Sequence, residues 1–429
     1  MSTDISSPDI PSTVEAATER LRRVEIPPAV VDVARRLQAE GYAAVVVGGS
    51  VRDALLGRDS ADWDLASSAM PEEVLKSFKK TIPTGLEHGT VTVLVGRGDQ
   101  REAVEVTTFR GEGAYVDGRR PSEVHFLRDL EEDLARRDFT INAFAWDPVA
   151  ARFTDAFGGL EDLAERKIRA VGAAFERFSE DGLRVMRAVR FAATLEFSLD
   201  PATEAAIEPT LEVFDKVSRE RVQVELYKLL GARRPSIGLR LMAATGLWAR
   251  VLVPGSPEVD AELFEAVDAL PADVELRLAR CLFEARAREG EVDAVLEGLK
   301  PSRATQRRVQ ALLSPAAEDY VAATDGPRAR RAAAALVGQK ERALLGDAAR
   351  LRGLSAARCA ELESWTKDAP LGVKELALTG KELISEGICK PGPGLGRLLA
   401  ALLEAVLEDP ALNEPARLRA LAPTLLAES

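Results

Sequence analysis

The stretch VVVGGSVRDALLGRDSADWDLASS, residues 45–68, decides how the first part of the chain folds. Its β-branched beginning, Val45–Val47, predicts a buried strand. Gly48 and Gly49 follow, and because they carry no Cβ, the backbone can turn sharply there and approach a ligand closely. The stretch therefore predicts a strand that ends in a tight turn.

A helix is expected directly after this turn. Ser50 can cap a helix that begins at Val51, and the free amides and positive dipole end of such a helix favour phosphate. Arg52, in the first helical turn, adds a cation beside those amides. A glycine pair before a helix is also common as an ordinary strand-to-helix turn, so the turn alone does not establish a phosphate site.

Two aspartates follow on the next predicted strand. Side chains alternate along a strand, so Asp62 and Asp64 face one side while Trp63 packs on the other. Two neighbouring carboxylates repel each other unless a cation lies between them, and Mg²⁺ prefers hard oxygen ligands. Phosphoryl transfer uses such ions to activate the attacking oxygen and to neutralise the leaving group. The two aspartates are therefore predicted to be catalytic and to bind Mg²⁺.

A second informative segment, EDGLRVMRAVRF at 180–191, places Asp181, Arg184, Arg187 and Arg190 at intervals of three on a predicted helix. Such residues form a drifting stripe on one side of the helix. The stripe fits a salt-bridged surface, but it also fits a nucleobase site. Cytosine and adenine share an edge, an amine beside a ring nitrogen, that a carboxylate and a guanidinium complement; uracil and guanine present mismatched groups there.

The chain of 429 residues is long enough for two to four domains. Up to about residue 160, helical patterns alternate with the β-branched runs AAVVVGGS, DWDLASS, TVTVLVG and AVEVTTF; beyond it, no convincing strand is predicted. The expected fold class is α+β, a mixed head followed by an all-helical remainder. The expected parts are an N-terminal extension, a head, a helical neck, a body and a tail, at 1–26, 27–166, 167–235, 236–330 and 331–429.

The sequence motif GGSVRDALLGR…DWDLA resembles the DNA polymerase β-type nucleotidyltransferase superfamily and, more narrowly, the class II tRNA nucleotidyltransferases and bacterial poly(A) polymerases. Counterparts of that family also occur downstream: EHGTVTVLV, VEVTTFR, EEDLARRDFTINAFAWDP, DAFGGLEDL, RFSEDGLRVMRAVRFAATLEF and SRERVQVELYKLL. The resemblance covers about residues 30–235. It implies a polymerase β-like head and a templating helix in the neck.

The resemblance also implies a reaction. The tRNA 3′-hydroxyl would attack the α-phosphate of CTP or ATP, two Mg²⁺ ions would be held by Asp62 and Asp64, and pyrophosphate would leave. Asp181 and Arg184 occupy the family's templating positions. The other residues that the resemblance assigns to the nucleotide are Gly49, Arg52, Arg137, Arg187 and Arg190.

Neighbouring residues are expected to support this site. Asp138 and Asn142 are predicted to brace it, and Arg136–Asp138 is expected on a helix. Glu105 could be a third carboxylate at the ions or could pair with Arg110. The segment GEGAYVDGRRPSEVHF is rich in glycine and charge and suggests a mobile loop. In the family, a loop here is associated with adding the terminal A.

Three other functions stay open. An A-adding enzyme that works with a separate CC-adding enzyme fits the same loop. A poly(A) polymerase shares the scaffold, although the ending ALAPTLLAES lacks the strongly basic extension expected of one. An inactive RNA-binding protein of the same fold is the remote alternative.

Charge and composition bear on partners and location. The net charge of −12 argues against a DNA-coating protein. The resemblance implies tRNA, ATP and CTP as partners, and neither DNA nor a membrane is expected. The segment 301–358 has eleven Lys or Arg and five Asp or Glu, which fits either a solvated helical face or an RNA-backbone track. PGPGLG, within tail-like residues 378–414, could hold an RNA phosphate or simply join two helices. Three separated cysteines suggest a reducing cytoplasm.

Overall fold

The computed structural model describes residues 10–60, 62–96, 101–111, 125–252, 261–284, 289–337 and 341–428. The chain divides into two compact units: the first comprises Met1–Leu229 and Ile237–Arg250, the second Leu230–Ser236 and Val251–Ser429. Most of the loop predicted at 111–126 falls outside the described residues. None of the helices in the described part of the chain is long and apolar enough to cross a bilayer.

A seven-stranded mixed sheet forms the centre of the first unit. The strands of the chain are β1 Ala44–Val47, β2 Leu65–Ser67, β3 Thr81–Gly85, β4 Thr90–Val95, β5 Glu102–Thr108, β6 Arg110–Gly111, β7 His125–Phe126, β8 Phe144–Asp147, β9 Arg152–Asp155, β10 Lys167–Ile168 and β11 Ser198–Leu199. The sheet order is β3-β4-β5-β2-β1-β8-β9. Strands β2 and β5 run parallel, and the other neighbours in this sheet run antiparallel.

The central strands β1, β2 and β8 of this sheet are buried along their whole length. All four residues of β1 are buried, and Val45 and Val47 pack with Phe109 and Leu134 on one face. The short pair β10–β11 is parallel. This pair contradicts the expectation of no strand beyond about Leu160, because two residues per strand are too short to show a period.

Helices make up much of the rest of the first unit. They are α1 Val14–Arg22, α2 Pro28–Ala39, α3 Gly49–Leu55, α4 Pro71–Ser77, α5 Leu130–Ala135, α6 Gly159–Ala164, α7 Ala174–Glu180, α8 Leu183–Leu195, α9 Pro201–Ala205, α10 Leu211–Phe214, α11 Arg219–Leu230, α12 Ser236–Ala244 and α13 Leu247–Val251. Single 3₁₀ turns occur at Leu86–His88, Thr140–Asn142 and Glu208–Thr210.

The described residues of the second unit form helices and connecting turns, as the sequence predicted for this part of the chain. The helices are α14 Ala261–Ala269, α15 Val274–Glu284, α16 Glu289–Leu299, α17 Arg303–Leu312, α18 Pro315–Ala322, α19 Gly326–Val337, α20 Ala343–Leu351, α21 Ala356–Thr366, α22 Gly380–Ser385, α23 Pro393–Glu408 and α24 Pro415–Glu428, with 3₁₀ turns at Val373–Glu375 and Pro410–Leu412. Leu378, Leu398, Leu402 and Leu418 belong to one apolar core.

Arginines close the carboxyl ends of helices in the second unit. The last four carbonyls of a helix lack partners within the helix, and cations are favourable there. Arg277 donates from Nη1 to the carbonyls of Leu230 and Ala232, at 2.6 and 2.7 Å, where α11 ends. Five other arginines bond the final carbonyls of a helix in the same way: Arg280 at α20, Arg330 at α23, Arg342 at α21, Arg352 at α17 and Arg358 at α18.

These contacts account for much of the basic segment 301–358. Arg308 instead forms ion pairs with Asp273, Glu275 and Asp347, at 2.6, 2.8 and 2.9 Å. Much of the positive charge counted in the sequence therefore holds helices together, while the choice between a solvated face and an RNA-backbone track stays open for the exposed arginines. Arg303 and Arg307 are exposed on α17, and Lys340 lies outside the described residues.

Candidate active site

The glycine turn is sharper than the sequence suggested. Gly48 has φ of 80° and ψ of −137°, and α3 begins at Gly49. The expectation that Ser50 caps a helix starting at Val51 is therefore wrong: Ser50 lies inside the first turn, where its Oγ donates to the Val47 carbonyl at 3.4 Å. The reason is the positive φ of Gly48, which redirects the chain before Ser50 is reached.

The two aspartates lie directly before β2 and not within the strand as predicted. The amide of Val47 donates to the Asp64 carbonyl at 3.1 Å, which prolongs the β1–β2 pairing by one bond. Trp63 is buried and donates from Nε1 to the Ser60 carbonyl at 3.1 Å, while Asp62 and Asp64 are exposed. The predicted alternation of the three side chains is thus present.

The negative charges of Asp62 and Asp64 repel each other. Partial removal from water and then the like charge of Asp62 raise the pKa of Asp64, whereas the charge of Arg137 lowers it. Register pairs Leu65 with Val106, so Glu105 points to the same sheet face as Asp64. Even so, the described residues contain no group of three or more Asp, Glu, His or Cys side chains that could share a metal ion.

Arg137 lies beside both the glycine turn and Asp64. Helix α5 ends at Ala135, so Arg137 and Asp138 follow the helix and do not lie on it as expected. The Arg137 Nη2 atom is 3.3 Å from Oδ2 of Asp133, and its buried Nε has no hydrogen-bond partner in the described structure. Burial lowers the pKa of Arg137, although Asp133 raises it. A guanidinium stays charged in proteins, so Arg137 places a positive charge beside the glycine turn and Asp64.

Asp138 connects the head of the molecule to α8. Its carboxylate accepts from the Asn142 amide at 3.0 Å and from Arg187 Nε at 2.7 Å. Burial would raise the pKa of Asp138, but the charge of Arg187 and the hydrogen bonds from Asn142 and Arg187 hold it at about 2. The predicted bracing role of Asp138 and Asn142 agrees with these contacts.

The side chain of Arg52 is buried and bonds to other protein side chains. Its Nη1 donates to Asn142 Oδ1 at 2.5 Å, its Nε and Nη2 donate to Asp53, and 7% of the residue is exposed. The guanidinium carbon lies 5.1 Å from the ring centre of Phe191. Gly49 lies close to the same side chain, since a Cβ there would be 3.4 Å from Arg52 Nη2. Arg52 thus ties the glycine turn to Asn142.

The predicted helical stripe starts later than expected. Asp181 directly follows α7, and α8 begins at Leu183, so the stripe on α8 consists of the three arginines alone. Asp181 accepts from the Leu183 amide at 3.0 Å and from Arg221 Nη2 at 2.8 Å. The break between the helices comes at Gly182, where a Cβ would lie 2.6 Å from Cα of Phe214.

Arg184 is buried and held on several sides. Its Nη1 donates to Glu180 Oε2 at 2.5 Å and to the Arg177 carbonyl at 2.9 Å, and its Nη2 donates to the Arg136 carbonyl at 2.8 Å. The Glu180 contact was missed by sequence reasoning, although its i, i+4 spacing from Arg184 was a usable signal. These bonds fix the guanidinium beside the chain that leads to Arg137.

The other two arginines of α8 share an acidic partner. Glu225, 4% exposed, accepts from Arg190 Nε at 2.8 Å and lies 3.7 Å from Arg187 Nη1. Burial would lower the pKa of Arg187, but Asp138 and Glu225 raise it. Both guanidinium groups lie over the ring of Phe191, which sequence reasoning did not single out. Glu225 thus joins the SRERVQVELYKLL helix, α11, to α8 through ion pairs.

Three family models match successive parts of the chain: a poly A polymerase head domain at residues 44–169, a probable RNA and SrmB-binding site of polymerase A at 196–263, and a putative tRNA nucleotidyltransferase domain 2 at 273–422. The CCA-adding enzyme of Pediococcus pentosaceus is 39% identical over 394 residues, which cover 89% of this chain and 94% of that protein.

Solved structures are similar as well. The crystal structure of the Bacillus stearothermophilus CCA-adding enzyme in complex with CTP has a TM-score of 0.75 and 33% identity, with 94% of this chain and 98% of that chain covered. The Thermotoga maritima CCA-adding enzyme complexed with tRNA-CCA has a TM-score of 0.69 and 20% identity, with 96% and 98% covered, and this likeness concerns the fold.

Proposed function

Because this chain belongs to the family of CCA-adding enzymes, which are nucleotidyltransferases, we propose that it adds C, C and then A to the 3′ end of tRNA, using CTP and ATP and releasing pyrophosphate. The observation that carries the proposal is the exposed pair Asp62 and Asp64 together with the nearby Arg137. Arg137 also lies against the glycine turn, since a Cβ added to Gly48 would be 2.8 Å from its Nη1 atom. Negative and positive groups of this kind suit a triphosphate and its metal ions.

The family implies a divalent metal, and the two carboxylates fit one. Their oxygens are hard ligands, their mutual repulsion contributes to the raised pKa of Asp64, and a cation between them would relieve that repulsion. Magnesium commonly takes one or two carboxylates from the protein and completes its coordination with water and substrate phosphate. When bound, Mg²⁺ would supply charge stabilisation at the attacking and leaving oxygens. We propose Mg²⁺, held by Asp62 and Asp64.

The arginines around the turn bind the triphosphate in this proposal. Arg137 carries positive charge beside Gly48 and Asp64, Gly49 lies against the Arg52 guanidinium, and Arg52 holds the turn in place through Asn142. Arg187 and Arg190, fixed by Asp138 and Glu225, contribute positive charge from α8. Catalysis then consists chiefly of positioning the 3′-hydroxyl and the triphosphate and of electrostatic stabilisation.

Asp181 and Arg184 choose the base in this proposal. The Asp181 carboxylate accepts from the exocyclic amine of cytosine or adenine, and Arg184 donates to the ring nitrogen. Arg184 has bonds to Glu180 and to two carbonyls, so its position is set before a nucleotide binds. Such pre-positioning favours selectivity because little side-chain freedom is lost on binding.

The test is incorporation of each labelled nucleotide into tRNA ending before CCA and into tRNA ending in CC. Addition of two C and one A to the first substrate, with no uptake of U or G, supports the proposal. Addition of A alone, and only to tRNA ending in CC, would instead identify an A-adding enzyme. A long A tail on either RNA would identify a poly(A) polymerase.

We propose a cytoplasmic location for this activity. The three cysteines, Cys281, Cys359 and Cys389, are all free thiols in the structure, which suits a reducing compartment. Localisation of a tagged copy by microscopy or fractionation tests this assignment.

A further inference from the structure

A cavity of about 450 Å³ lies in the second unit, bounded by residues of α18, α20 and α21. Cavities of roughly 300–1,000 Å³ are of the size that binds small groups and ligands. Tyr320, 3% exposed, closes one side of this cavity, and Gly346 lines another. The candidate active site belongs to the first unit, so this cavity is a separate feature.

Gly346 is unusual for its position. It lies in the interior of α20, where glycine is less favourable than alanine. The packing does not require a glycine there: a Cβ would meet only the flexible guanidinium of Arg350, whose Nη1 would be 3.5 Å away in ordinary contact. The absence of a side chain therefore leaves the cavity open, although this is unfavourable for the helix.

The lining is positively charged within an acidic protein. Arg342, Arg350 and Lys367 contribute three cations against the single carboxylate of Glu363. The Arg350 side chain is 57% exposed and pairs with Asp347 at 3.0 Å. Lys367 is exposed, and none of the ion pairs found between described residues involves it. Two of the cations thus have donors left for a ligand.

We propose that this cavity binds a phosphate group, namely a backbone phosphodiester of the RNA substrate. Lys and Arg side chains are the usual partners of such phosphates, and each contact adds to the salt dependence of binding. A nucleobase is a poor candidate, because Tyr320 is the one aromatic residue among the described lining residues and it is buried. The inference rests on the proposed function only in taking RNA as the source of the phosphate.

Two variants of the full chain test the cavity by opposite means. Arg350→Gln combined with Lys367→Gln removes two cations, and Gly346→Leu fills the space with a good helix former. The matched control, Arg328→Gln combined with Arg331→Gln, removes two cations from exposed ion pairs on α19. Binding of tRNA without CCA is measured over a salt series, together with the number of CTP molecules bound and the melting temperature.

Both cavity variants are expected to bind tRNA several-fold more weakly than the control does. The double variant should also lower the slope of log K against log salt by about one per lost phosphate contact. The melting temperature of Gly346→Leu should stay equal or rise, which separates loss of the ligand from loss of the fold. A loss of one bound CTP with unchanged tRNA affinity would assign the phosphate to free nucleotide and overturn RNA as its source.

Unchanged binding of both ligands, or equal weakening in the control, would overturn the phosphate site itself. Nucleotide incorporation by the unmodified protein is measured in the same preparations. If incorporation fails while the variants differ in tRNA binding, the proposed reaction is wrong and the phosphate site stands. If incorporation succeeds while binding is unchanged in all variants, the proposed reaction stands and the phosphate site is wrong.

Discussion

Gly48 and Arg137 leave no space for an additional atom between them: a Cβ on Gly48 would lie 2.8 Å from Nη1 of Arg137. The φ of 80° at Gly48 is itself unfavourable for a residue with a side chain. Any substitution therefore strains the turn and also displaces Arg137, whose charge acts on Asp64. The shape of the turn and the charge of the site depend on the same glycine.

The Gly48→Ala variant is expected to lose at least tenfold in CMP incorporation, because Arg137 must move away from the triphosphate. Gly41→Ala is the matched control: Gly41 also has a positive φ, of 94°, but a Cβ there would contact nothing within 4 Å. Both changes should lower stability by about 1–2 kcal/mol through backbone strain, and activity is compared per folded molecule. Equal activity in the two variants would show that the Arg137 contact is unimportant.

The Asp62→Asn and Asp64→Asn variants are each expected to abolish incorporation, with a loss on the order of 10²–10³ or more, since charge stabilisation in the transition state is removed. Stability without metal should not fall for Asp64→Asn. The raised pKa of Asp64 means that its ionisation opposes folding: its contribution favours folding below the unfolded pKa and is lost as pH rises through the folded pKa.

Asp59→Asn is the control for this pair, since Asp59 is exposed and precedes the two aspartates in the same segment. It should incorporate CMP normally. Retained incorporation in either Asp62→Asn or Asp64→Asn would refute their assignment as the catalytic pair.

The contacts of the buried Asp138 predict that the stability of the protein depends on pH. The pKa of Asp138 falls from the usual 3.8 to about 2, which corresponds to roughly 2 kcal/mol of stability. Because the folded pKa is depressed, this stability is present above about pH 4 and is lost as pH falls toward 2. Asp138→Asn should therefore destabilise the protein by about 2 kcal/mol near neutral pH, and the difference from the unmodified protein should shrink below about pH 4.

Urea unfolding at several pH values between 7 and 3 measures this difference. The exposed Asp32→Asn, which removes only a surface pair with Arg35, should differ little from the unmodified protein at every pH. A difference for Asp138→Asn that is the same at all pH values would show that ionisation of Asp138 does not stabilise the fold.

Base selection is best tested at Asp181. Arg184 has several internal bonds, so its removal would disturb the fold as well as the base contact. Asp181→Ala should lower the preference for CTP over UTP by about 1–3 kcal/mol, or roughly 5- to 150-fold in the ratio of kcat/KM values. Arg221→Gln removes the Asp181 ion pair but leaves the carboxylate, and should keep most of the preference. Unchanged selectivity in Asp181→Ala would refute its templating role.

Part of the head could be predicted because its signals are local. The strand at Val45–Val47, the glycine turn and the alternation around Trp63 each follow from a few adjacent residues. The start of α3 could not be predicted, because it depends on the φ of Gly48 and on Arg137, which is distant in the sequence. Strand β3, TIPTG, is largely exposed and contains a proline, so it lacked the apolar period of a strand.

The side-chain partners in the site are also tertiary features. The bonds from Arg184 to the Arg136 carbonyl and from Arg52 to the Asn142 side-chain oxygen join segments far apart along the chain. The basic segment 301–358 is a second case in which the sequence could not predict the partners of the side chains. Counting charges predicts a charged surface, but the structure directs several of those arginines to helix-end carbonyls, and a carbonyl carries no signal in a sequence.

The arginine caps of the second unit lead to a prediction about stability. Arg277 is 3% exposed and bonds the carbonyls of Leu230, Ala232 and Leu270. Arg277→Met keeps much of the side-chain volume but leaves three buried carbonyls without this donor. Each unsatisfied buried group costs about 1–3 kcal/mol, so we expect a loss of at least about 2 kcal/mol in urea unfolding followed by circular dichroism.

Arg331→Met provides the comparison, because Arg331 is 45% exposed and pairs with Glu404 and Glu408 at the surface. Exposed pairs contribute about 0–1 kcal/mol, so this variant should unfold nearly as the unmodified protein does. Both changes remove one positive charge, and a difference between them therefore reports the carbonyl bonds alone. If both variants lost the same small amount of stability, the caps would be no stronger than surface ion pairs, because water or a shift of the helix ends would then satisfy the carbonyls equally well.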